Sequence, residues 1–110
     1  MTIVLEIADK DGKYVYLTEE RYKHIINHSK LQKRQNLLDD IKTTIKKPTR
    51  IKCIGERIIF YKFFKNQSTY LKVIVKYLNG KGFIITIYTV ENLSKWKMNS
   101  IFIMMKKEII

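Results

Sequence analysis

Hydrophobic and polar residues alternate near the N-terminus of the chain. The segments "TIVLEI" (residues 2–7) and "KYVYL" (residues 13–17) place apolar residues at alternate positions, which is the spacing of a β-strand with one buried face. The residues between them, Asp9 to Gly12, have the composition of a tight turn. This pattern predicts an N-terminal β-hairpin.

The apolar spacing then becomes helical in two consecutive segments. Thr18 is suited to cap a first helix, and Glu19 and Glu20 follow it in the first turn, where the helix dipole favours acids. A second helix is predicted from about Lys33 to its end before Pro48. Its buried stripe is predicted to be Leu37, Leu38, Ile41 and Ile45.

Four apolar runs follow Pro48 and predict three or four strands that run in sequence as an antiparallel meander. They are "RIKCI", "RIIFYKFF", "YLKVIVKYL" and "GFIITIYTV", with turn signals at Gly55-Glu56 and Asn79-Gly80. The last stretch, Glu91 to Ile110, fits an edge strand or a short helix equally well. No linker divides the chain, so residues 1–110 are predicted to form a single α+β domain in the order ββααβββ(β), with the helices on one face of the sheet.

Alternation splits the three longest predicted strands into two unlike faces. The face expected to receive the helices is apolar or aromatic: Ile59, Tyr61, Phe63, Leu71, Val73, Val75, Tyr77, Phe83, Ile85 and Ile87. The other face adds cations and hydroxyls: Lys62, Tyr70, Lys72, Lys76, Thr86 and Tyr88. Lysine is common on the solvated side of an antiparallel sheet, but ammonium groups also bind phosphates while tyrosine rings stack on bases. The sequence leaves both interpretations open.

The chain is strongly and unevenly basic. Its 22 Lys and Arg against 10 Asp and Glu give a net charge of +12. Residues 1–20 hold five acids and two bases, whereas residues 41–90 hold eleven bases and one acid. An AT-rich genome would raise the lysine content without any function, but it would not place the charge in one half of the chain. A localised surplus indicates an anionic partner, with RNA or DNA as the leading candidate.

Cysteine usage and hydropathy predict a cytoplasmic location. Cys53 is the single cysteine, so an intrachain disulfide is impossible and a reducing compartment is expected. The N-terminus has no basic leader, and the apolar run "IFIMM" is far shorter than the roughly 20 residues of a membrane span. We therefore expect no membrane association.

Two histidines, His24 and His28, lie four residues apart in the first predicted helix and share one side of it with Arg21. Such a pair is most often part of a polar helix face. Zinc is disfavoured because Ile25 replaces the glutamate of the metalloprotease pattern and no further ligand cluster exists. The third interpretation is acid/base chemistry on RNA without a metal or other cofactor.

The ordered segments "VYLTEERYKHIINH", "KKPTRI", "ERIIFYKFF", "YLKVIVKY" and "GFIITIYTV" resemble the phage-associated barnase/EndoU/colicin/RelE-like nucleases. The resemblance covers roughly residues 14–90. It implies two helices leaning on a curved antiparallel sheet of about four to five strands. It also implies metal-independent RNA cleavage, in which the 2′-hydroxyl attacks the neighbouring phosphate and leaves a 2′,3′-cyclic phosphate.

The same resemblance implies a set of catalytic residues: His24, His28, Lys62, Thr86 and Tyr88. In this scheme a histidine acts as the general base, Lys62 or Lys72 neutralises the phosphate, and Thr86 orients it. The residues expected to bind the nucleic acid are Arg21, Arg57, Tyr70, Lys72 and Lys76.

Three functions therefore compete. The first is a small ribonuclease, a toxin or mobile-element effector neutralised by an acidic antitoxin or immunity protein. The second is a non-catalytic RNA- or DNA-binding module, for which the charge and the lysine/tyrosine face suffice. The third is a protein-interaction domain of immunity or regulatory type, with an acidic protein as its ligand.

Overall fold

The computed structural model describes residues 2–27, 31 and 34–90. Within these ranges the chain forms six strands and two α-helices, with a 3₁₀ turn at Lys65–Gln67. The elements are β1 (Ile3–Ala8), β2 (Tyr14–Thr18), α1 (Glu19–Asn27), α2 (Leu37–Lys46), β3 (Arg50–Ile54), β4 (Arg57–Phe64), β5 (Thr69–Leu78) and β6 (Lys81–Val90).

All six strands belong to one mixed sheet with the order β1-β2-β6-β5-β4-β3. The predicted fold, an antiparallel sheet of four to five strands in the order ββααβββ(β), is therefore wrong. The meander β3 to β6 is antiparallel throughout, but the hairpin β1–β2 joins it through a parallel pairing of β2 with β6. That pairing joins residues far apart in the chain, and no hairpin turn connects the two strands. No local sequence pattern therefore predicts it.

Local signals predicted several element boundaries correctly. The N-terminal hairpin is confirmed by the antiparallel register of β1 and β2. Thr18 caps α1 as predicted, because its Oγ1 accepts a hydrogen bond from the backbone N–H of Arg21 at 3.2 Å. The second helix ends at Lys46 as expected, but it begins at Leu37 and not at the predicted Lys33.

Both helices pack on the same face of the sheet, where they form a single hydrophobic core. Ile25 of α1 and Leu37, Ile41 and Ile45 of α2 are buried in it. The sheet contributes Leu5, Val15, Leu17, Phe60, Leu71, Val73, Val75, Ile84 and Ile87. The helix α2 contacts the edge strand β1 as well as β4 and β5, so it packs across several strands of the sheet.

The β1–β2 turn is anchored to β5 by the buried carboxylate of Asp9. Its Oδ1 accepts hydrogen bonds from the backbone N–H groups of Asp11 and Lys13, both at 2.9 Å, and its Oδ2 accepts one from the Tyr77 hydroxyl at 2.8 Å. Burial and the adjacent carboxylate raise the pKa of Tyr77 above its ordinary value, so the phenol stays a donor. The Tyr77 ring lies over Gly82, where an added Cβ would come within 2.9 Å of it.

The segment between the helices is anchored by Arg34. Its guanidinium donates to Asp40 of α2 at 2.8 Å and to the Thr69 hydroxyl of β5 at 3.1 Å. The same group lies 5.0 Å from the centre of the Phe64 ring. Arg34 therefore connects this segment to both layers of the domain.

In the described part of the chain, neither helix has the length and apolar character that crossing a bilayer would require.

Candidate nucleic-acid interface

The sheet has a second face, opposite the helices, which we call the outer face. The strand registers show which side chains share it, because residues directly opposite each other on paired strands point to the same side. Its members include Arg50, Lys52, Arg57, Ile59, Tyr61, Phe63, Tyr70, Lys72, Ile74, Lys76, Thr86, Tyr88, Phe83 and Tyr16. These side chains form rows across the strands.

One row crosses four strands as Arg50, Tyr61, Lys72 and Tyr88. The Lys72 ammonium lies 5.8 Å from the centre of the Tyr61 ring and 5.9 Å from that of Tyr88, within cation–π range of both. Tyr61 is buried with 2% of its surface exposed, whereas Tyr88 is 50% exposed. A ligand therefore cannot reach the Tyr61 ring, and Tyr88 is the ring of this row that is accessible.

A second row crosses the sheet as Arg57, Lys76, Phe83 and Tyr16. Arg57 and Lys76 are direct cross-strand partners, an arrangement of like charges that destabilises a sheet. The rings of Phe83 and Tyr16 continue the row, with centroids 5.8 Å apart. An anion bound between the two cations would remove their repulsion.

A third group of rings lies toward the far end of β4. Phe63 and Tyr70 are cross-strand partners with ring centroids 5.1 Å apart, and Phe63 is 41% exposed. With Tyr88, these rings give the outer face aromatic surface between its cations. Bases of a single strand stack on surfaces of this kind whatever their sequence.

The charge of the outer face is strongly positive. Six of its residues are cationic: Arg50, Lys52, Arg57, Lys72, Lys76 and Lys81. Glu6 of β1, the one acidic residue among the described strands, lies opposite Tyr16 at the edge of the same face. The ion pairs that link described side chains to one another, Lys23–Glu19 and Arg34–Asp40, both involve the helices or the segment between them. A large positive field is therefore concentrated on one side of the sheet.

The structure brings six of the residues singled out from the sequence onto this face: Arg57, Tyr70, Lys72, Lys76, Thr86 and Tyr88. Thr86 lies opposite Ile74, between the two rows. Arg21 lies in the first turn of α1 and borders a cleft at the edge of the face, together with Lys76 and Phe83.

Two predicted catalytic residues lie elsewhere. Lys62 is opposite Leu71, a core residue, so its side chain leaves the sheet on the helix side. His24 is exposed on α1, the helix whose Ile25 packs into the core on that same side. His28 lies outside the described residues. The sheet thus separates Lys62 from Thr86, and the predicted catalytic set is not assembled among the described residues.

The face assignment was wrong for β4 and partly wrong for β6. In β4, Ile58, Phe60 and Phe64 pack toward the helices, whereas Ile59, Tyr61 and Phe63 lie on the outer face. The register between β5 and β6 shifts between Ile74 and Val75 of β5, which leaves Ile85 of β6 without a cross-strand partner. As a result, Ile84 and Ile87 both point toward the core. A β-bulge of this kind resets the alternation that sequence reasoning relies on.

Sequence reasoning missed seven cationic or aromatic members of the face: Tyr16, Arg50, Lys52, Tyr61, Phe63, Lys81 and Phe83. Tyr61, Phe63 and Phe83 were assigned to the helix side by alternation. Tyr16 reaches the face through the parallel β2–β6 pairing. For Arg50, Tyr61 and Phe83 the identifying signal is a cation opposite a ring, which can be recognised only once the strand register is known.

The described residues contain no cluster of three or more His, Cys, Asp or Glu side chains placed to hold a metal ion. The thiol of Cys53, the single cysteine of the chain, is exposed. Comparison with protein-family models, curated sequences and solved structures finds no match for this chain.

Proposed function

We propose that the protein is a non-catalytic binding module for single-stranded nucleic acid, RNA in the first place, and that the outer face of the sheet is its binding surface. The proposal is based on the alternation of cations and aromatic rings along the rows of that face. The guanidinium and ammonium groups would bind phosphates, and the exposed rings of Phe63 and Tyr88 would stack on bases. The proposal includes the cytoplasmic location expected from the sequence, where RNA is available.

A binding role is favoured over cleavage by the placement of the candidate catalytic groups. Transesterification needs a general base and a phosphate-binding cation around one reacting phosphate. Lys62 lies on the helix side of the sheet, whereas Thr86 and Tyr88 lie on the outer face. Binding does not require these groups to surround one phosphate, because each phosphate contact contributes separately to the affinity.

A nucleic acid is favoured over an acidic protein by the exposed rings. Carboxylates could also bind cations of this face, but they would leave Phe63 and Tyr88 without a stacking partner. The backbone of a single strand carries one charge per nucleotide and a flat base beside it, which matches alternating cations and rings.

The proposal is tested by titrating a fluorescent oligouridine with the protein at several salt concentrations. We expect affinity to fall steeply with salt, with a logarithmic slope of about −2 to −4, because each phosphate contact to a single strand contributes about −0.7. We expect a duplex of equal length to bind more weakly, since its bases cannot stack on the rings. A slope near zero, or displacement by polyglutamate as effective as by RNA, would contradict the proposal.

We also expect that RNA incubated with the protein in EDTA stays intact. The measurement is gel analysis of an end-labelled single strand under conditions in which anisotropy shows it to be bound. Products ending in a cyclic phosphate, formed by the wild type and lost in His24→Ala or His28→Ala, would instead support the ribonuclease interpretation.

A further inference from the structure

β2 and β6 pair over a very short length and then separate. Their register contains Val15↔Gly82 and Tyr16↔Phe83. β2 ends at Thr18, where the chain turns into α1, while β6 continues to Val90. The separation opens a cleft of about 260 Å³ between the two strands, which we call the β2–β6 cleft.

The residues that line this cleft come from four elements. They are Tyr16, Thr18, Arg21, Lys76, Leu78, Phe83, Ile84 and Ile85. Ile85 is present because the irregular register of β5 and β6 gives β6 one residue without a partner at this point. The bulge and the end of β2 thus shape the cleft together.

Two cations converge on the β2–β6 cleft from distant parts of the chain. Arg21 comes from the first turn of α1 and Lys76 from β5, and none of the described residues that line the cleft carries a carboxylate. Glu19, in the same helical turn as Arg21, is paired with Lys23 at 3.0 Å and borders a different cavity. The two like charges repel each other unless an anion lies between them.

An aromatic surface lies beside this pair of cations. The rings of Tyr16 and Phe83 both line the cleft, 5.8 Å apart and tilted by 33°. Leu78, Ile84 and Ile85 supply the remaining apolar surface, and Thr18 supplies a hydroxyl. The volume lies just below the roughly 300–1,000 Å³ of typical small-ligand sites, so it suits a single base with its phosphate better than a large cofactor.

From this combination we infer that the β2–β6 cleft binds one nucleotide of the bound strand, turned out of the path of its neighbours. Its phosphate lies between Arg21 and Lys76, and its base stacks against Tyr16 and Phe83. The inference rests on the proposed function, because Lys76, Phe83 and Tyr16 also belong to the outer face and make the cleft continuous with it. A nucleotide held in the cleft would give the bound strand a defined position on the outer face. The rest of the face would bind the strand without fixing its position.

The test is an NMR titration of the ¹⁵N-labelled protein with uridine 5′-monophosphate, with inorganic phosphate and with oligouridine. We expect the monophosphate to shift the backbone amides of Thr18, Arg21 and Ile85 and to bind more tightly than inorganic phosphate. We expect oligouridine to shift the same amides together with those of Lys72 and Tyr88. Equal affinity for phosphate and the monophosphate would overturn the stacking role, and with it the inference.

Arg21→Gln is the informative variant, with Lys23→Gln as its matched control on the same helix. Both residues are exposed, and only Arg21 lines the β2–β6 cleft. We expect Arg21→Gln to weaken monophosphate binding about tenfold, through loss of a charge-assisted hydrogen bond, while Lys23→Gln leaves it unchanged. Equal weakening by both variants would overturn the inference.

The strand titration separates this inference from the proposed function. If oligouridine shifts the outer-face amides but not those of Thr18, Arg21 and Ile85, the inference about the cleft is wrong. The proposed function is then still supported. Oligouridine that shifts neither set contradicts the proposed function itself, whatever the monophosphate does.

Discussion

Replacing Arg34 with methionine is expected to lower the free energy of unfolding by about 3–5 kcal/mol, the usual effect of removing one partner of a buried ion pair. The Arg34 side chain is 5% exposed and that of Asp40 is 17% exposed, with 2.8 Å between Nη1 and Oδ2. The substitution leaves the Asp40 carboxylate without its cation and Thr69 without a donor. Urea denaturation followed by circular dichroism measures the change.

The ion pair Lys23–Glu19 provides the matched control. It joins residues four apart on α1 at 3.0 Å, but its side chains are 70% and 42% exposed. Lys23→Met should therefore change stability by less than about 0.5 kcal/mol. In the double variant Arg34→Met/Asp40→Leu much of the loss should be recovered, because no unpaired carboxylate remains. Equal effects of Arg34→Met and Lys23→Met would contradict this account of the Arg34 site.

Neutralising three cations of the outer face is expected to weaken binding of single-stranded RNA about 100-fold near 0.1 M salt. The variant is Arg50→Gln/Arg57→Gln/Lys76→Gln. Each lost phosphate contact should reduce the logarithmic salt slope by about 0.7, so the slope should become shallower by about 2. Anisotropy titrations of wild type and variant across a salt series give both quantities.

The control for this variant removes the same charge from the helices. In Lys23→Gln/Lys42→Gln/Lys46→Gln, three exposed lysines of α1 and α2 are neutralised, so the net charge falls from +12 to +9 in both variants. We expect this control to bind RNA with nearly the affinity of the wild type. If both variants lose affinity equally, the binding depends on total charge, and the outer face is not the interface.

Local sequence signals were sufficient to predict most elements of this fold. The turn at Asp9–Gly12, the cap at Thr18 and the turn at Asn79–Gly80 each act within a few residues, and each is followed by the element it predicts. The stripe Leu37, Ile41 and Ile45 is buried for the same reason, since its spacing alone defines one side of a helix.

The strand order could not be predicted in the same way. A parallel pair such as β2 and β6 carries no connecting turn, and both strands fit several neighbours equally well. The side chains of β4 were assigned to the wrong faces because both faces of this strand are apolar or aromatic. Alternation of polar and apolar residues therefore could not distinguish them. Lys62 was then grouped with Lys72 on charge alone, and the observed register places it opposite Leu71.

The candidate site was predicted in part. Arg57, Lys72 and Lys76 were identified from their charge in central strands, and they do share one face. The rows they form with Tyr61 and Phe83, and the cleft beside Arg21, depend on register and on a bulge, which single-strand patterns do not specify.

The long-range link between β2 and β6 has a consequence for the order of assembly. The meander β3 to β6 consists of neighbours in sequence, whereas joining Val15 to Gly82 closes a loop that includes both helices. During translation β2 is made before its partner β6 exists, so the hairpin cannot join the sheet until β6 has been synthesised. Completion of the sheet therefore depends on the strand that follows the Asn79–Gly80 turn.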